Sequence, residues 1–97
     1  MSKNTLDDLI AEELKDRVFQ GHYEKELLIN AIAKMTVDLR LSASLTQAEL
    51  AERVGTSQAA IARLESGKDS RVPSLYLLAR IAEASNAKLN LSFEPKD

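Results

Sequence analysis

Few side chains here could do covalent chemistry. The chain has no cysteine and a single histidine, His22. Nucleophilic catalysis needs an activated serine or cysteine beside a base held by a third group, and a metal cage needs several ligands. The adjacent carboxylates Asp7/Asp8 and Glu12/Glu13 fall on the solvent side of a helical pattern, where nothing raises a pKa. There is no glycine-rich phosphate loop. No catalytic residue, cofactor or metal is expected, and no enzyme. What remains is charge. The net charge of −2 hides a segregation. Residues 1–39 carry five Lys/Arg against eight Asp/Glu, and residues 40–80 carry six (Arg40, Arg53, Arg63, Lys68, Arg71, Arg80) against four. A basic block that suits a polyanion therefore follows an acidic segment.

The elements that position these charges are helices. With 97 residues, 44% hydrophobic and 29% charged, the chain suits one domain plus a short extension. Two Pro and three Gly leave helix as the dominant element. No basic-then-apolar leader opens the chain and no apolar run reaches the ~18 residues of a membrane span, so a cytoplasmic protein is expected. Thr5 can cap a helix over 6–18, with Leu6, Leu9, Ile10, Leu14 and Val18 at helical spacing and Gly21 stopping it. A second helix runs from about Tyr23 to Leu41. Its apolar residues form two rows, Ile29, Ile32, Ala33, Thr36 and Leu28, Ala31, Met35, Leu39. One row can serve the core; the other needs a second customer.

Thr46 with Glu49 makes a capping box for a third helix ending at Val54. Ser57 caps a fourth, Gln58–Glu65, closed by Gly67. Ser74 caps a fifth, Leu75–Ala84, with Leu75, Leu78, Ala79 and Ile81 facing in. Lys88–Phe93 alternates polar and apolar and reads as one strand. A lone strand needs a partner, and pairing with its own copy would bury Leu89, Leu91 and Phe93 across a dimer axis. The expected divisions are an extension, 1–22, a helical domain, 23–86, and a strand and tail, 87–97.

The third and fourth helices satisfy the conditions for a steep crossing. Ala51 is small where the helices cross, Gly55 tolerates positive φ in the turn, and Ile61 points back into the angle. Leu50, Val54 and Leu64 fill the space between.

With those residues at that spacing, Thr46–Gly67 resembles the helix-turn-helix of the phage repressor/Cro (XRE) family, over about residues 27–84. The resemblance implies an all-α, lambda-repressor-like five-helix domain that binds an operator in double-stranded DNA, with the N-terminal helix and C-terminal strand appended. It also implies that the second motif helix enters the major groove by its N-terminal end. Base reading then falls to Gln58, Ala59 and Arg63: the Gln58 amide can pair bidentately with adenine, and alanine offers a methyl contact to thymine. Backbone contacts fall to Gln47, Ser57, Lys68 and Arg71, with Gln47 also placed to brace Gln58. Arg40 and Glu65 correspond to the family's structural salt bridge. Two half-sites one DNA turn apart imply a homodimer.

The order of extension, motif, helix and terminal strand is similar to HigA-type antitoxins. That likeness implies a repressor of its own operon that binds a small basic RNase toxin of the HigB/RelE type. Leu6, Leu9, Ile10, Leu14, Val18, Leu28 and Met35 are the candidate toxin-binding residues. A stand-alone XRE-type regulator without a toxin remains the alternative.

Overall fold

The computed structural model describes residues 6–96 as four helices: α1, Leu6–Ser42; α2, Gln47–Val54; α3, Gln58–Ser66; and α4, Leu75–Ala84. Thr5, the expected first cap, lies outside the described residues, as do the side chains of Leu6, Leu9 and Val18.

Helix α1 corrects the sequence reading. Two helices were expected, divided at Gly21, and one continuous helix of 37 residues is found. Glycine costs a helix only about 1 kcal/mol relative to alanine. No proline interrupts residues 6–42, and Gln20 before the glycine and Glu24 to Leu28 after it are good helix formers. A helix-ending glycine needs the left-handed conformation, and of the three glycines only Gly55 and Gly67 adopt it. The helix is ~55 Å long and dominates the 60 Å long axis of the molecule.

Of its two apolar rows, one enters the core. Ile29, Ile32, Ala33 and Thr36 are buried, while Leu28, Ala31 and Met35 are exposed and Leu39 is half-buried. Thr36 donates its hydroxyl to the Ile32 carbonyl, so its polar atom costs the core nothing. From residue 21 to 28 every side chain is exposed. The helix ends through Ser44 in a left-handed turn (φ 58).

Helices α2 and α3 are short and are fixed by caps and packing. Thr46 and Glu49 form the capping box at 3.1 and 2.8 Å, and Ser57 accepts from the Ala60 N–H at 3.1 Å. The core they close contains Leu50 and Ile61, both wholly buried, with Leu45, Ala51, Val54, Leu64 and Ile81 around them. Helix α4 starts at a Ser74 cap. Its inward face is Leu77, Leu78, Ile81 and Ala82; Leu75 and Ala79, expected inside, are exposed. Leu78 and Ile81 lie inside as expected, and the rest of the inward face lies on the Leu77 side of Leu78 rather than the Leu75 side.

Residues 87–96 form no strand, contrary to expectation, and the described residues contain none. Leu89 is half-buried, and Leu91 and Phe93 are exposed. Alternation gives a segment two faces, but a strand exists only when its backbone groups find another strand to bond. One copy of this chain offers none.

Candidate nucleic-acid interface

The crossing of α2 and α3 rests on the turn between them. Gly55 sits at φ 85, and its N–H and that of Thr56 both donate to the Ala51 carbonyl at 2.9 Å. This closes α2 and releases the chain at the angle that Ile61, wholly buried, fills from the other side.

A buried ion pair ties α3 to α1. Arg40 Nε and Nη2 donate to the two carboxylate oxygens of Glu65 at 2.8 and 3.0 Å, and Nη1 donates to the Leu45 carbonyl at 2.8 Å. The side chains are 13% and 4% exposed. Burial pushes the Glu65 carboxyl up, but hydrogen bonds from Arg40 and Gln47 more than offset this and hold it below the usual carboxylate range. A second attachment lies at the same C-terminal end of α3, one residue past the helix. Gly67, at φ 69, packs so closely on α1 that a Cβ there would lie 2.8 Å from Asn30 Oδ1.

Two further arginines clasp α2 to α4. Arg80 Nε donates to the Val54 carbonyl at 2.9 Å, and Arg53 Nη1 donates to the Ala84 carbonyl at 3.2 Å. Each helix thus has its C-terminal end capped by a cation from the other. Tyr76 shares in this, with Arg80 5.8 Å from its ring centroid. Residue spacing carries no signal for the clasp, because the two residues of each bond are 26 and 31 apart.

On this frame Gln58 and Ala59 stand exposed at the start of α3, and Arg63 is exposed one turn on. No hydrogen bond to the described chain occupies the Gln58 side chain. The Ser57 hydroxyl accepts from Ala60 and keeps its own proton to donate outward. Lys68 and Arg71 are exposed beyond the helix. Arg71 is partly held: its N–H and Nε both donate to Asp69 Oδ1, at 3.0 and 3.4 Å. The backbone N–H of Arg71 and then its side chain lower the Asp69 carboxyl, and Arg63 adds to this.

Gln47 departs from expectation. Its amide donates to Glu65 Oε1 at 3.0 Å and does not brace Gln58. Glu65 is a buried carboxylate with acceptor sites to fill, and it outcompetes an exposed amide.

A helix-turn-helix family model matches residues 38–90. The chain belongs to the helix-turn-helix family, of the XRE type. The match covers the end of α1, the whole of α2 to α4 and the start of the tail, so it contains every cap, clasp and ion pair just described except the Asn30 contact. As a member of this family the chain is a DNA-binding regulator. No curated protein and no solved structure matches it. No described helix is long and apolar enough to cross a membrane.

Proposed function

We propose that this regulator is the antitoxin of a toxin–antitoxin operon, reading its own operator with α3 and holding a small basic RNase toxin of the HigB/RelE type on the arm of α1. One observation carries the DNA reading: Gln58 projects, with its amide uncommitted, from a helix whose aim is fixed by a dry core and a buried ion pair. Gln58 reads adenine, Ala59 touches a thymine methyl, and Arg63 takes a guanine or a phosphate. Ser57, Lys68 and Arg71 hold the DNA backbone, and Gln47 adds its second amide N–H. The protein works as a homodimer, because two half-sites bind far more tightly than one.

The arm supports the antitoxin half of the proposal. Helix α1 begins at Leu6, Ile29 is the first buried side chain among its described residues, and residues 6–28 are acidic overall. An acidic surface suits a cationic, RNA-binding partner. The docking residues are Leu6, Leu9, Ile10, Leu14, Val18, Leu28 and Met35. Residues 1–22 serve the partner, 23–86 the DNA, and 87–97 form a tail.

Operator binding by Gln58→Ala should weaken by about 1–3 kcal/mol and lose preference at one base position. Unchanged preference would remove α3 from the reading role. Lys68→Ala should weaken all sequences alike and lower the salt slope by ~1. Expression with the neighbouring genes tests the toxin: a small basic protein should co-purify. Recovery of the chain without one leaves a stand-alone regulator.

A further inference from the structure

Helix α1 carries a pattern that its own domain does not use. Starting at Ile10, steps of four and three residues alternate through Leu14, Leu28, Ala31 and Met35, with Arg17, Gly21 and Glu24 filling the middle of the run. This is the 3.5-residue repeat of a coiled-coil seam. Every position on it is exposed, with Ile10, Leu14, Leu28 and Met35 at 49, 55, 50 and 61%.

We propose that this seam is covered by the same seam of a second copy running antiparallel. The charges set the direction. In a parallel pair in register, Arg17 would face Arg17 and Glu24 would face Glu24, like against like. In an antiparallel pair with Ile10 opposite Met35 of the second copy, Leu14 meets Ala31 and Arg17 lies one turn from Glu24 of the second copy. Symmetry makes each contact twice. Gly21 falls beside the centre of the pair, where nothing stands within 4 Å of the Cβ it lacks and two backbones can approach closely.

The same pairing suits DNA. The buried row of Ile29, Ile32, Ala33 and Thr36 lies roughly 100° round α1 from the seam. The two-fold axis of an antiparallel pair stands perpendicular to the plane of its helices, so both helix-turn-helix units project to one side. Helix α3 meets α1 between Ile29 and Arg40, a stretch centred about 12 residues from the middle of the pair. At 1.5 Å per residue the two copies of that stretch lie ~36 Å apart, which matches half-sites ~34–36 Å apart on DNA. Only this spacing argument rests on the DNA reading proposed above; the pairing itself follows from α1 alone. A toxin on the arm takes the seam by displacing the second copy.

Cysteine cross-linking without DNA tests the pairing, since the chain has no cysteine of its own. Ile10→Cys mixed with Met35→Cys should form a disulfide-linked dimer under mild oxidation, and each alone should form little. Sedimentation should show the dimer weakened about tenfold by Arg17→Glu, from two lost contacts, and restored by Arg17→Glu with Glu24→Arg. Leu28→Glu, at an exposed site, should keep its helical circular dichroism and its base preference at one half-site while losing the dimer. Efficient cross-linking of Ile10→Cys alone overturns the antiparallel pair. So does a chain that stays monomeric at high micromolar concentration, or one that pairs through these positions only with a basic partner protein. Loss of base preference with cross-linking intact would count against α3 as the reader and leave the pair standing.

Discussion

Helices α2 and α3 are eight and nine residues long, and α1 has 37. Isolated helices as short as the first two are unstable in water, so every feature that defines them comes from caps, a left-handed turn and neighbours. The middle of α1 is the reverse: residues 21–28 are all exposed, and the helix there follows from local preference. The contrast separates two tasks. A side chain that must read a base needs its backbone fixed from several sides, as α3 is by Ile61, Glu65 and Gly67. The described residues of the arm carry exposed apolar side chains, Ile10, Leu14 and Leu28 among them, that nothing in the chain's own fold covers.

The contrast breaks most sharply if the core of the short pair is hollowed. Ile61→Ala should cost about 3–4 kcal/mol in chemical denaturation, because a wholly buried side chain is replaced by a cavity. A loss below ~1 kcal/mol would mean that α2 and α3 are not held by their shared core.

Glu65→Gln should cost about 2–3 kcal/mol by leaving Arg40 buried without its counter-charge. The pH dependence follows from the lowered Glu65 carboxyl. A depressed carboxyl contributes stability that is complete above its unfolded value of ~4.3 and fades as pH falls through the lower folded value. Denaturation midpoints should therefore drop below about pH 5 in the native chain and drop less in Glu65→Gln. Glu49, lowered first by the Thr46 N–H, and Asp69 leave a smaller slope in the variant.

Gly21→Ala sharpens the other side. With open space around it, the added methyl should raise helicity and stabilise α1 by at most ~1 kcal/mol. A destabilised protein would show that the glycine is needed where it stands.

The short helices were legible because their signals are local. Thr46, Ser57 and Ser74 are caps by residue type, and Gly55 and Gly67 mark left-handed turns that few other residues make. The same signal misled at Gly21, where the helix carries on because no proline follows and Glu24 to Leu28 favour it. At Lys88–Phe93 alternation suggested a strand, but no segment among the described residues pairs with it and none forms. The inward face of α4 was read only in part: Leu78 and Ile81 do face in, but apolar residues lie on both sides of Leu78, and residue type does not choose the Leu77 side over the Leu75 side. The partner of Gln47 was out of reach for a different reason: competition for a buried carboxylate 18 residues away has no trace in spacing.

The unbroken course of α1 has a mechanical consequence. The rod that bears Ile10 and Leu14 at one end is joined to α3 at two points, Asn30 against Gly67 and Arg40 on Glu65. A torque applied to the arm thus has an unbroken helical path to α3. The lever and the short helices are one mechanical body, and no loop stands between them to take up the twist.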